Sequence, residues 1–463
     1  MENIAYYNGK ISSIEEMMIP MNERSSYFGD GVYDAMFTVD HVPLQLDDHL
    51  RRFYRSAKKI EIDIPMPFEE LRAMVLDFCR KIDSPDAMAY VQATRGVGMR
   101  GHAYRFAGNT PSLWVWVKPD MLDPMDRSYK AITMEDTRYF HCDIKTINLL
   151  PAVIYTQRAE EAGCDETILH RGDRVTECAH SNVHILKDGA LKTAPCDNLI
   201  LPGITRAHRI AQCKAMGIPV IEEPFTVQEM MEALTKGWPR AAPAPARCAA
   251  GLRKSTAKRS AAAIPNGLPE FKKRHGTRHW RKCGRLRGKI PIERRISMKN
   301  IAYYNGKTAP IEEMMVPMND RACYFGDGVY DATCVVNHVP MAFDDHIDRI
   351  YRSAKLIDIE IPMEKAEMKR MLQGLVDQVE GDVLFLYWQV TRGVGMRNHP
   401  YAGAGDKPSL WAFVRPSKMR DPFGVYKCIT VEDKRFFYCN IKTINLLPAV
   451  MANEKAMEAG CDE

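Results

Sequence analysis

No apolar run in this chain approaches the roughly 18 residues that a helix needs to cross a bilayer, so no membrane-spanning helix is expected. The first ten residues, MENIAYYNGK, lack both a basic leader region and an apolar one. No signal peptide is expected from them, and a cytoplasmic location follows by default. Thirteen cysteines are present, yet none forms a C-x-x-C pair. That absence argues against a zinc site or a redox dithiol, and no metal is expected. Cys79 and Cys213 lie in apolar runs and read as buried, reduced thiols. Acids are scarce in one stretch only. Between Thr235 and Ser297 there are 18 Lys/Arg against two acids, Glu270 and Glu293. This segment carries +16, so the rest of a chain with net charge +5 carries −11.

The chain repeats itself. NIAYYNGK runs from Asn3 and again from Asn300, YFGDGVYDA from Tyr27 and from Tyr324, TRGVGMR from Thr94 and from Thr391, and IKTINLLPAV from Ile144 and from Ile441. The offset is a constant 297 residues over 3–166 and 300–463. Solenoid and propeller units run to roughly 20–50 residues, so each copy here is instead the size of an enzyme subunit.

The segments 1–120 and 121–233 read as two domains of mixed α and β structure. Ala5 to Gly9 is expected as a strand running into a turn. Helices are expected over Leu50 to Ile60 and Phe68 to Ile82, and strands over Ala87 to Thr94 and Ser112 to Val117. Lys118 to Arg127, with Pro119 and Pro124, reads as the interdomain linker. Beyond it, strands are expected over Lys130 to Met134 and Thr167 to His170. A helix is expected over Pro151 to Ala162, stopped by Gly163. A hairpin follows around Lys187-Asp-Gly189, and then a helix over Thr205 to Met216, stopped by Gly217. Thr226 to Glu229 is a capping box opening a last helix.

Composition then changes abruptly over 234–297. One reading is a basic disordered tether that could touch nucleic acid. The favoured reading is a shifted reading frame, because codons for Leu234-Thr-Lys236 can be read out of frame as Asp-Glu. Met298 then starts the second copy, with 298–417 as its first domain and 418–463 as the start of its second.

Several residues can carry chemistry. Lys145 lies in the mostly apolar run C-D-I-K-T-I-N-L-L-P, where a desolvated amine becomes a usable nucleophile; a lysine at a strand end with its head in solvent has the same local pattern. Glu177 ends a strand-like V-T-E and could accept from a cationic ring nitrogen. Leu201-Pro-Gly-Ile-Thr-Arg206 is a glycine turn into a helix, where backbone N–H groups and the Thr205 hydroxyl can hold an anion. Arg52 in D-D-H-L-R-R could clamp phosphate or carboxylate with two N–H groups, and Arg100 and His102, in a glycine-rich loop, suit a substrate carboxylate.

Taken in order, F-G-D-G-V-Y-D, D-D-H-L-R-R, D-I-K-T-I-N-L-L, V-T-E-C-A-H-S-N and L-P-G-I-T-R resemble the class IV aminotransferases, pyridoxal-phosphate enzymes of fold type IV. The resemblance covers 3 to about 233 and, in shortened form, 300–463. It implies a small N-terminal α/β domain and a larger barrel-like one. It makes Lys145 the Schiff-base lysine and Glu177 the partner of the pyridine nitrogen. Arg52, Ser181, Gly203, Ile204 and Thr205 become cofactor contacts. R-G-V-G-M-R-G-H is similar to the D-amino-acid aminotransferases, where an Arg-x-His on this loop and the tyrosine of G-V-Y bind the α-carboxylate. That assigns substrate contacts to Tyr33, Arg100 and His102. The second copy keeps Tyr330, Arg349, Arg397, His399 and Lys442. It stops before counterparts of Glu177 and the L-P-G-I-T loop, and is expected not to hold the cofactor by itself.

In that family the loop reaches into the neighbouring subunit's site, which implies a homodimer or pairing of the two copies. The implied reaction is ping-pong transamination between a D-amino acid, of the D-alanine or D-glutamate type, and a 2-oxo acid. A branched-chain L-aminotransferase or an aminodeoxychorismate lyase shares the lysine and glutamate, and an inert fusion product is the alternative of another class. This chain departs from the family's E-G-S-S-S-N, placing Ala179 and His180 where two serines are expected. DNA sequencing across codons 230–300 is expected to find a missing or extra base; an intact frame would remove the frame-shift reading.

Overall fold

The computed structural model describes residues 1–108, 110–121, 128–235, 298–401, 407–418, 424–437 and 439–462. Residues 122–127 of the expected linker, and 236–297 of the basic connector, lie outside these. Residues 4–119 form a six-stranded antiparallel sheet. Its strand order is Lys10–Ser12, Ile4–Tyr7, Ser112–Pro119, Ala87–Thr94, Gly31–Val39 and Val42–Pro43. The second copy repeats this order with strands Lys307–Ala309, Ile301–Tyr304, Ser409–Pro416, Val383–Thr391, Gly328–Val336 and Val339–Pro340.

Side chains alternate between faces with period two, and here both faces are buried. On Ala87–Thr94, Ala89, Val91 and Ala93 face the helices Leu46–Lys59 and Phe68–Lys81, against Leu50, Phe53, Leu71, Val75 and Phe78. Tyr90 points the other way, stacking on Trp116 with ring centroids 4.7 Å apart. That opposite face meets the same face of the second copy in one shared core, which contains Tyr27, Trp114, Tyr324, Tyr387, Trp411 and Phe413. Phe68–Lys81 matches expectation, with Glu69 and Glu70 in its first turn and Arg80 and Lys81 in its last, each complementing the helix dipole. The preceding helix begins at Leu46, four residues earlier than its apolar spacing predicts, because Gln45 takes a left-handed conformation (φ 47°) that turns the chain into it. The strand Gly31–Val39, fifth in this order, was not foreseen as a strand at all.

The two copies join across an approximate two-fold relation. Met18–Pro20 pairs antiparallel with Met315–Pro317. Met21 N donates to Met314 O and Met318 N to Met17 O, both at 2.8 Å. Leu149 N donates to Phe325 O and Leu446 N to Phe28 O, both at 3.0 Å. Ser26 Oγ and Cys323 Sγ, which occupy equivalent positions, lie 3.5 Å apart.

Beyond the first sheet, Ala131–Glu135 pairs in parallel with Glu166–Arg171, which pairs antiparallel with Arg174–Cys178. The helix Leu150–Glu161 links the first two of these strands. The hairpin His184–Lys187 and Ala190–Thr193 forms as expected and gains Val220–Glu222 as a parallel third strand. The helices Ile204–Ala215 and Val227–Thr235 follow the expected positions closely. Cys79 and Cys213 are buried free thiols, whereas Cys196, Cys428 and Cys439 are exposed. No described helix is long and apolar enough to cross a membrane.

Asp320 is fully buried at the seam. It caps the helix Arg321–Phe325 by accepting from Ala322 N (3.0 Å) and also accepts from Thr391 Oγ1 (3.0 Å). Burial pushes its carboxyl up to about 6. Between about pH 4, the ordinary value, and about pH 6 the folded chain holds a proton that the unfolded chain has released. Stability therefore falls as pH rises through this window. Asp320→Asn retains an acceptor for the cap and cannot ionise. Its melting temperature is expected to exceed the parent's at about pH 8 and to converge on it near pH 4. A difference that is the same at both would contradict the assignment.

Candidate active site

Lys145 follows a turn at 141–144 and is half-buried. Its Nζ donates to the Tyr33 hydroxyl at 3.2 Å. Thr146 forms an isolated bridge to Val32, and Tyr33 N donates to Lys145 O (2.9 Å), so backbone contacts pin the lysine to the strand Gly31–Val39. Burial pushes the Tyr33 hydroxyl up, but the charges of Lys145 and Arg397 outweigh it and leave the group below the ordinary tyrosine value.

Arg52 projects from the helix Leu46–Lys59 onto the same strand. Its Nε and Nη2 donate to Asp34 Oδ2 (2.8 Å) and Oδ1 (2.7 Å), the two-bond fork that fixes a guanidinium plane. Asp34 also contacts His49 Nδ1 at 2.8 Å. Burial alone would raise Asp34, yet Arg52 beside it holds the carboxyl well below its usual range. The remaining terminal nitrogen, Nη1, lies 3.5 Å from Pro202 O, at the turn into the helix Ile204–Ala215. The first-turn N–H groups of such a helix have no intrahelical acceptor and favour an anion. At Gly203, the residue before this helix, a Cβ would meet Asn182 Oδ1 at 2.0 Å, so a larger residue would have to push the Asn182 side chain aside.

Glu177 is 5% exposed at the end of Arg174–Cys178. Arg138 Nη1 pairs with its Oε1. Its Oε2 accepts from Asn182 Nδ2 (2.9 Å) and Leu201 N (3.1 Å). Burial raises its carboxyl above the usual range, and Arg138 and the Leu201 N–H oppose the rise. Asn182 also donates to Leu201 O (2.9 Å), tying the glutamate to the glycine turn. Ser181 stands one layer back, its hydroxyl donating to Glu166 Oε2 (3.1 Å).

The Arg-x-His loops cross over. Arg100 lies above Tyr330 and Tyr387 of the second copy, at 4.5 and 4.4 Å from the ring centroids. His102 packs on Phe28, and burial followed by the Arg100 charge pushes it down to about 4. Tyr33 and Arg100 therefore do not meet within one copy. Arg397 lies above Tyr33 instead, at 4.6 Å, and the His399 ring is 4.9 Å from that of His180. Lys442 Nζ donates to Tyr330 (3.3 Å), and Arg349 pairs with Asp331 (2.6 Å) while its side chain stays 37% exposed, against 6% for Arg52. Among these side chains, Asp34, Arg138 and Asn182 escaped the motif reading. An acid closing F-G-D-G-V-Y-D directly after Tyr33 was the only signal for Asp34.

The amino-transferase class IV family model matches residues 31–234 and 328–463. The chain belongs to this family. Its relatives include the D-alanine aminotransferase of Staphylococcus haemolyticus, 35% identical over 230 residues that span 49% of this chain and 82% of that protein. The D-alanine aminotransferase of Listeria monocytogenes serotype 4b (strain F2365) is 37% identical over 232 residues, spanning 49% and 80%. A solved branched-chain aminotransferase from Thermoproteus uzoniensis, with norvaline, is 25% identical over 50% of this chain and 81% of its own, with a TM-score of 0.46.

This class IV aminotransferase is thus an enzyme of the transaminase type, acting on amino acids and 2-oxo acids with pyridoxal phosphate as cofactor. The donor set fits that group. An amine, a buried carboxylate and an arginine beside a helix N-terminus match its aldehyde, ring nitrogen and phosphate. Gly203→Ala is expected to displace Asn182 and weaken pyridoxal phosphate binding about tenfold or more, a cost of about 1.4 kcal/mol, with circular dichroism unchanged. Titration of the cofactor by fluorescence quenching checks this, and unaltered affinity would show that the close approach does not matter.

Proposed function

We propose that this aminotransferase moves an amino group between a D-amino acid and a 2-oxo acid in ping-pong fashion, at Lys145. The observation that carries the site assignment is that Arg52 lies within electrostatic reach of both Tyr33 and Glu177, while Lys145 Nζ donates to Tyr33 and Arg52 Nη1 reaches Pro202 O, next to Gly203. The D-amino-acid preference rests on the relatives at 35–37% identity, named D-alanine aminotransferases. We also read 1–120 and 121–233 as the two domains that contribute these residues, and 298–417 and 418–463 as their counterparts in the second copy.

Bound pyridoxal phosphate supplies the carbonyl that takes the amino group and an electron-withdrawing ring that stabilises a carbanion at the substrate Cα. Lys145 Nζ is the amine that would hold the cofactor and be freed when an amino acid binds. The freed amine would then carry the proton from the substrate Cα to the cofactor's carbonyl carbon within the first half-reaction, and back from that carbon to the Cα of the second substrate in the reverse half-reaction. Glu177, kept in place by Arg138 and Asn182, is the carboxylate that would accept from the ring nitrogen and keep it protonated. Asp34 orients Arg52, whose Nη1 end, together with the Ile204 and Thr205 amides and the Thr205 hydroxyl, would hold the phosphate. Tyr33 holds the Lys145 amine by a hydrogen bond, and its lowered pKa makes the hydroxyl a strong donor to an anionic group.

Borohydride reduction of the chain loaded with pyridoxal phosphate, followed by peptide mass mapping, is expected to place the label on Lys145; Lys145→Ala is expected to abolish both that label and the visible cofactor band. Half-reactions with D-alanine, L-leucine and aminodeoxychorismate then test the substrate. Conversion of D-alanine is expected, and conversion of L-leucine alone would overturn the D-amino-acid reading.

A further inference from the structure

In the first copy the helix Leu150–Glu161 buries Tyr155 completely. Its ring packs with Leu169, Ala179 and Met134. Its hydroxyl accepts from Thr137 N at 2.7 Å, meets Thr137 Oγ1 and donates to Glu135 O at 3.0 Å. Ring and hydroxyl are therefore both satisfied.

The second copy keeps the frame of this arrangement without the side chain. At the constant offset of 297 residues, the helix Leu447–Glu458 carries Ala452 in place of Tyr155, and Glu432 and Lys434 stand for Glu135 and Thr137. A cavity of about 460 Å³ lies at this point, lined by Glu432, Lys434, Met451, Ala452 and Lys455 and by His141 of the first copy. Lys434 N, the equivalent of the amide that meets the Tyr155 hydroxyl, has no acceptor among the described residues. Val431, the counterpart of Met134, also lines the cavity and is 46% exposed.

A preformed cavity takes up small aromatic molecules because they regain the close contacts that a missing side chain leaves unmade. Tyrosine exceeds alanine by a phenol ring, so that is the shape missing here. A ligand that brings an oxygen to an amide without an acceptor gains a hydrogen bond that a hydrocarbon does not. The surroundings are basic as well. Burial, and after it the charges of Lys434 and Lys455, hold the His141 imidazole below its ordinary value. Glu432, 3.7 Å from Lys434, offsets that lysine in part. Lys455 lies three residues after Ala452, on the same face of the helix. In tyrosine the chain joins the ring para to the hydroxyl, so in the cavity the para position meets the Ala452 methyl. An acidic substituent has room only at the meta position.

We propose that the second copy carries a ligand site that the first lacks, where a monocyclic phenol with a meta carboxylate takes the place of the Tyr155 ring. The phenol oxygen accepts from Lys434 N, its hydroxyl donates to Glu432 O, and the carboxylate meets Lys455. The site spans the copies through His141. Its ligand needs neither the amino group nor the oxo group on which the transaminase reaction depends.

Equilibrium dialysis of the full chain loaded with pyridoxal phosphate, with 3-hydroxybenzoate as probe, tests the site. Saturable binding of one molecule per chain is expected, undisturbed by D-alanine, with 4-hydroxybenzoate weaker by about tenfold. Ala452→Tyr supplies the ring from the chain itself and is expected to weaken 3-hydroxybenzoate by about tenfold or more, while borohydride labelling at Lys145 stays at the parent level. Lys455→Met, an exposed change that decides the matter if Ala452→Tyr fails to fold, is expected to weaken 3-hydroxybenzoate about threefold and to leave the affinity for phenol unchanged. Absence of saturable binding would overturn the proposal, and so would parent-like affinity in either variant. Displacement of the probe by D-alanine would place it in the Lys145 cleft instead and would also overturn it.

Discussion

The face-to-face burial of the two sheets is the contact from which the cleft follows. Tyr27, Tyr90, Trp116, Tyr324, Tyr387 and Phe413 form one buried aromatic layer shared by the two copies. The hydrophobic effect is not directional, so register has to come from elsewhere. It comes from the short strand pair Met18–Pro20 with Met315–Pro317 and from the mirrored main-chain bonds at Leu149 and Leu446. Sliding one copy by a residue would break those bonds and carry Arg397 away from Tyr33. The aromatic layer therefore provides the attraction and a few directional bonds set its alignment.

Within each copy, buried ion pairs convert that alignment into side-chain positions. Arg24 and Arg321 are fully buried, pair with Asp30 and Asp327, and hold the Arg-x-His loops by their main-chain oxygens. Asp34 fixes the plane of Arg52, and Arg138, itself forked onto Asp136, holds Glu177. Buried pairs of this kind add little net stability over apolar packing, but losing one partner costs about 3–5 kcal/mol. Their effect here is geometric: each leaves one functional group with a single orientation.

Much of this was legible in the chain, and the rest was hidden for physical reasons. Phe68–Lys81 and Ala87–Thr94 could be read because one face of each is continuously apolar. Gly31–Val39 was missed because Gly31 and Asp34 break the alternation that marks a strand, and Asp34 is there to hold Arg52 rather than to pack. Lys145, Glu177 and the glycine turn stood out through motif order. Arg138 sits in a loop with no pattern around it, and only the folded chain brings it 39 residues along to Glu177. The crossing of Arg100 to Tyr330 and of Arg397 to Tyr33 was implied by the family resemblance, whose loop reaches a neighbouring site, but not by the residues of either copy alone, since the copies carry the same motif and proximity is set by the seam.

Equivalent positions near the seam no longer match: Ser26 faces Cys323, and Glu23 corresponds to Asp320. In a pair of identical subunits every substitution at the axis occurs twice and must be tolerated against itself. Two copies encoded in tandem escape that constraint, because each residue changes once and meets an unchanged neighbour. The Ser26–Cys323 contact shows this freedom in use: a polar group on one side opposes a softer, more apolar one on the other. An interface inherited as symmetric can in this way drift into a lock and key, in which neither half fits a second copy of itself as well as it fits its sister.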